Sequence, residues 1–94
     1  MIDCQTVERT LEERGKRYGT FEGHAEISQQ LKAVLRVYEA KRGCDLDADQ
    51  REALEMICHK MARIINGDPN YADSWHDIAG YATLINERLT NAKF

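Results

Sequence analysis

Apolar residues recur at helical spacing along the whole chain, and nowhere does an alternating apolar and polar run sit between turn residues as a strand would. The pattern predicts an all-α fold of about four helices, paired as antiparallel hairpins or a bundle. The first helix is expected from about residue 4 to residue 17, with Asp3 as a candidate cap, Val7 and Leu11 as its apolar row, and Tyr18-Gly19 as its break. The second starts near Phe21 or Glu22 and ends before Gly43. Its row Ile27, Leu31, Val34, Leu35 and Tyr38 is the clearest stripe in the chain. Asp47 caps the third helix, and Gln50 three residues on completes a capping-box pattern. Leu54, Ile57, Cys58, Met61, Ile64 and Ile65 form its stripe before Asn66-Gly67-Asp68-Pro69 stops it. The fourth takes Asp73 as its cap and Trp75, Ile78, Ala79, Ala82, Ile85 and Leu89 as its buried face, with a frayed tail from Asn91 to Phe94.

Composition narrows the class further. The 94 residues are 43% hydrophobic and 31% charged, enough for a single domain, 1–94, around a modest core. A helical chain this short leaves apolar faces over, so completion by self-association is expected. A net charge of −3 with interspersed signs argues against nucleic acid or an anionic membrane as the main partner. Cys4, Cys44 and Cys58 are odd in number and lack CxxC spacing, so they read as packing residues in a reducing compartment. The start is too polar for a secretory segment and no apolar run approaches a membrane span, which points to the cytoplasm.

Polar groups that core packing does not require concentrate between residues 59 and 89. Lys60 and Arg63 lie on the third helix, and Asp73, Asp77 and Gly80 follow on the fourth at spacings of four and three, so these three project from one side. A glycine inside a helix costs about 1 kcal/mol against alanine, so Gly80 asks for a reason such as close approach of a ligand or a partner backbone. Glu52, Glu55, His59 and Arg63 share one arc opposite the Leu54, Ile57 and Met61 stripe. That arc is either a solvated face with local pairs such as Glu55 to His59, or part of a two-helix set of four carboxylates, Glu52, Glu55, Asp73 and Asp77. Such hard oxygen ligands suit magnesium or manganese and leave positions for phosphate oxygens, with Lys60 and Arg63 offsetting substrate charge. Asp73 has the alternative of being only a cap. Tyr81 is either a core residue with a satisfied hydroxyl or a ligand contact, and Trp75 reads as core.

The basic run Arg14-Gly15-Lys16-Arg17-Tyr18-Gly19 is either a phosphate contact or a helix end with well-placed cations. His76-Asp77, with His24 and His59 upstream, invites comparison with HD-type metal phosphohydrolases, but that fold needs more helices and a later aspartate that is absent here.

Three segments, RGKRYGTF, HKMARIINGDP and YADSWHDIAGYATL, together resemble a small all-helical domain of phages and prophages, over most of residues 11 to 84. More remotely, the hairpin is similar to the MazG-type all-α nucleotide pyrophosphohydrolases, in which acidic residues on two helices bind magnesium and the enzyme is a dimer or tetramer. The resemblance implies that Glu52 and Glu55 stand for the first acidic pair and Asp73 with Asp77 for the second, as magnesium ligands. Lys60 and Arg63 would then hold phosphates, and Tyr81 would line the base or sugar side. The expected function is binding of a nucleotide or other phosphorylated small molecule, in its catalytic form the hydrolysis of a nucleoside triphosphate to monophosphate and pyrophosphate. The alternative is a non-enzymatic phage interaction protein, for example an inhibitor of a host defence complex, whose acidic helices engage a host protein. A ligand site turns Asp73, Asp77 and Gly80 inward, whereas an inhibitor exposes its acids. A third possibility is that this face only builds a tight helix crossing or dimer contact.

Overall fold

The computed structural model describes residues 4–91, with side chains from residue 7 to residue 91. The expected cap Asp3, the side chain of Cys4 and the tail 92–94 lie outside the described residues. Among the described residues there are four helices and no strand: α1 (Cys4–Tyr18), α2 (Phe21–Lys41), α3 (Ala48–Asn66) and α4 (Ala72–Asn91).

Local chemistry sets the boundaries. Gly19 leaves α1 with φ +75°, and the Thr20 hydroxyl accepts the Gly23 N–H at 3.1 Å to start α2. Gly43, with φ +85°, follows the end of α2. The Gln50 side chain accepts the Asp47 N–H at 3.0 Å, which closes the expected capping box. One cap is corrected. Because α4 starts at Ala72, Asp73 already lies in the first turn, where its carboxylate accepts the Tyr71 hydroxyl at 3.0 Å.

Short loops make successive helices neighbours, and α3 lies in the middle, packed against α2 on one side and α4 on the other. Among the described residues α2 and α4 do not touch, and α1 rests lightly on α2 and α3. The result is an open α2–α3–α4 layer with α1 lying against α2 and α3. It measures 50 × 31 × 30 Å with a radius of gyration of 16.3 Å, against about 12 Å for a compact domain of this length.

This layering decides what is buried. A middle helix with neighbours left and right buries two opposite sides, and on α3 these are Ala53 with Lys60, and Cys58 with Ala62, at about 100° per residue. The facing helices contribute His24 and Ser28 from α2 and Ser74 from α4. The expected apolar stripes are therefore corrected. The inward line of α4 is Ser74, Ile78, Tyr81 and Ile85, while Trp75, read as core, is 55% exposed and Ala79, Ala82 and Leu89 face outward. On α3, Leu54, Met61 and Ile65 are exposed, the last by 69%. On α2, Ile27, Leu31 and Leu35 are half-buried, but Val34 and Tyr38 are open, as are Val7 and Leu11 on α1. A core-facing stripe at least ~100° wide needs partners beyond one neighbour, and in a single layer half of it points out of the plane. Cys58 packs inside as expected, whereas Cys44 is exposed, and both are free thiols.

Candidate functional site

The corner where α1 ends, α3 ends and α4 begins is held by backbone. The Asn66 amide donates to the carbonyls of Tyr18 at 2.7 Å and Thr20 at 2.8 Å, and the Asp68 N–H donates to the Arg17 carbonyl at 2.6 Å. Glycine is required for this approach. A Cβ on Gly67 would run into the backbone of Arg17 and Tyr18, and one on Gly19 into the carbonyl of Asn66. Two of the motif segments, RGKRYGTF and HKMARIINGDP, thus meet in space.

Aromatic and cationic groups lie over that corner. The Arg63 guanidinium sits 4.3 Å from the centre of the Tyr18 ring, Tyr18 meets Tyr71 edge-on at 6.0 Å, and Arg17 lies 5.0 Å from the centre of the Tyr71 ring. The bond from its hydroxyl to Asp73 raises the pKa of Tyr71.

Next to this corner a polar seam runs between the helices. Lys60 is only 9% exposed, and its ammonium meets the Asp77 carboxylate at 2.9 Å. That hydrogen bond holds Asp77 below the usual carboxylate range. On the α2 side, His24 Nε2 and His59 Nδ1 lie 3.1 Å apart, with the rings edge to face. His24 Nδ1 is buried without a hydrogen-bond partner among the described residues. Burial, then the neighbouring His24 and the cations Arg63, Lys60 and Lys32, push His59 down to about 4. Burial followed by Arg63, Lys32 and Lys60 lowers His24 as well. Both imidazoles are therefore neutral near pH 7, and the charges that bear most on them are all positive. Of these three cations only Lys60 is in an ion pair among the described residues.

The expected site residues divide accordingly. Lys60 and Asp77 come together, Arg63 lies one turn from Lys60, and Tyr81 is half-buried one turn beyond Asp77. Glu52 is exposed, Glu55 is half-buried on α3, and Asp73 is exposed with its carboxylate on Tyr71. Among the described residues no three His, Cys, Asp or Glu side chains gather into a group able to hold a metal ion, so Glu52, Glu55, Asp73 and Asp77 do not form one donor set there. The local Glu55–His59 pair gives way to the His24–His59 pair. Gly80 faces open space with nothing within 4 Å of an added Cβ, so no part of the described chain explains it.

Lys32 and Tyr71 were not legible as site residues, Tyr18 was read only within the basic run 14–19, Asn66 only as part of a helix stop, and His24 only for a metal comparison. One signal existed. His24 and Ser28 head the i, i+4, i+7, i+11 line that continues with Leu31 and Leu35, and two polar residues on such a line mark an internal polar contact.

No described helix is long and apolar enough to cross a membrane. A family model described as a domain of unknown function (DUF6378) matches residues 4–89. No curated protein and no solved structure matches the chain.

Proposed function

We propose, for a chain that belongs to the DUF6378 family, that the domain binds a nucleotide or another phosphorylated small molecule over the seam formed by His59, Lys60, Arg63 and Asp77. The observation that carries this reading is the surplus of cations. The charges of Lys32, Lys60 and Arg63 all bear on two neutral histidines, and Asp77 is the one carboxylate paired with any of them among the described residues. A sheltered cation surplus favours an anion. A planar guanidinium such as that of Arg63 suits phosphate oxygens, and Lys60 can share its donors between Asp77 and a phosphate. Tyr18 and Tyr71 at the corner, or Tyr81 on α4, offer ring surface to the base or sugar side.

Hydrolysis of a nucleoside triphosphate with magnesium held by Glu52, Glu55, Asp73 and Asp77 is the stronger form of this proposal. It asks for a donor set that the described side chains do not bring together. Binding is therefore the function carried forward. The exposure of Glu52 and Asp73 favours a second reading, in which a phage protein presents these acids to a host protein.

The test is thermal unfolding against inorganic phosphate, pyrophosphate and a nucleotide panel, each with and without magnesium. Ligand at a hundredfold excess over its Kd adds about 2.7 kcal/mol to the native state. The proposal expects a rise in Tm with one phosphorylated class, lost in Lys60→Met and Arg63→Met. No rise with any of them, or a rise untouched by both substitutions, overturns it and turns attention to a host protein.

A further inference from the structure

We propose that the apolar side of the α2–α3–α4 layer is an isologous interface with a second copy of this chain. Leu54, Met61 and Ile65 form one open row on α3, at spacings of seven and four. Trp75, Ala82 and Leu89 continue that side on α4, and Val34 and Tyr38 on α2. Two open grooves flank α3 here. One, of about 820 Å³, is lined by Val34, Leu35, Tyr38, Leu46 and Leu54 among others, and the second, of about 450 Å³, by Leu46, Leu54, Ile57, Ala82 and Leu89. Leu46 and Leu54 belong to both, so the apolar surface runs unbroken across the three helices.

The surface left open over the whole chain is of the size that a second copy covers. The chain exposes 7179 Å², whereas a compact monomer of 10.8 kDa exposes about 5,500 Å². The excess of roughly 1,600 Å² falls within the roughly 1,000–2,500 Å² that each subunit of an obligate homodimer buries. No large side chain is fully buried among the described residues, and a second copy is present wherever the chain is made, at a concentration that sets how much of the face is covered. The rim fits the same occupant. Arg36, Lys41 and Arg42 stand with Asp45 and Glu55 around the larger groove, a mixture of signs that a two-fold rotation can match to itself. At about 100° per residue this side lies roughly half a turn from Arg63 on α3 and from Asp77 on α4, so the interface does not rest on the phosphate-site reading.

Sedimentation equilibrium and the emission of Trp75, the single tryptophan, test it together. The interface predicts twice the chain mass for the wild type, and a red shift of Trp75 emission on dilution as the exposed ring loses its cover. Leu89→Glu and Ile65→Glu should lose the dimer, while Leu84→Glu, an exposed leucine elsewhere on α4, should keep it. If the face variants fail to fold, the wild-type mass and emission still decide. A folded wild type of single-chain mass with concentration-independent emission overturns the proposal, and so does a dimer that survives both face variants but not Leu84→Glu.

Discussion

The two sides of the helical layer are built from the same three helices and reach opposite states. On one side Lys60 has Asp77, His24 has His59, and Arg63 has the Tyr18 ring, so each polar group has found a neighbour from another helix or from the adjoining corner. On the other, Leu54 and Ile65 are open to solvent, and Tyr38 and Trp75 are largely exposed with only local partners, the Lys41 ammonium over the Tyr38 ring and the Pro69 carbonyl on the Trp75 N–H. The difference follows from the physics of each contact. Hydrogen bonds and ion pairs are pairwise and can be completed by one facing helix, whereas apolar burial grows with the area covered and a single layer provides none out of its plane. A chain of this length can pair most of its polar side alone, His24 Nδ1 excepted, and leave its apolar side for a partner.

The largest effect is expected where the corner supports the polar side. Gly67→Ala places a methyl against the Arg17 and Tyr18 backbone and should cost about 3 kcal/mol, read as a Tm loss in thermal unfolding. Asn66→Ala removes two hydrogen bonds to carbonyls and should cost about 2 kcal/mol by the same measurement. If Gly67→Ala is neutral, the corner is not what positions Tyr18 and Arg63, and the contrast between the two sides loses its polar half.

Acid sharpens the contrast, because as the pH falls it acts first on the histidines of the polar side, ahead of carboxylates such as Glu39, which lines the larger groove and which Arg51 holds below its ordinary value. His24 and His59 titrate below the ordinary histidine value of 6.5 in the fold, His59 at about 4, so the unfolded chain takes up protons first as the pH falls. Stability contributed by the neutral pair is present above pH 6.5 and is lost between there and about 4. Tm should decline through that window, and His59→Gln should flatten the decline. An unchanged slope in that variant would remove the pair as its cause.

The smallest effect concerns Gly80. With open space around it, Gly80→Ala should stabilise α4 by about 1 kcal/mol through helix propensity alone. A loss of stability or of ligand binding would instead mean that a ligand or a second chain approaches α4 there, and would move the interface onto the polar side.

The helices were legible in the sequence because their signals are local: the Asp47–Gln50 capping box and the glycines at 19 and 43 need nothing beyond a few neighbouring residues. The Lys60–Asp77 region was also within reach, since helical spacing fixes which residues share a side. The buried lines were not. A stripe such as Trp75, Ala82 and Leu89 says that a face is apolar, but it does not say whether this chain or another covers it. The His24–His59 contact joins residues 35 apart, and Asn66, read as part of a helix stop, acts through carbonyls on another helix and loop. Such partners follow from packing, which no local pattern encodes. The partners of the acidic residues were hidden for the same reason: spacing placed Asp73 and Asp77 on one side of α4, but did not show that Asp77 meets Lys60 and Asp73 the Tyr71 hydroxyl.

Independence of the two sides is most directly tested by sedimentation equilibrium of the wild type with a nucleotide that raises its Tm, following protein and nucleotide absorbance together. A dimer of constant mass with or without nucleotide, carrying one nucleotide per chain, is the expected result. A mass that changes when nucleotide binds, or one nucleotide per dimer, would contradict it, because ligand and second copy would then share a face.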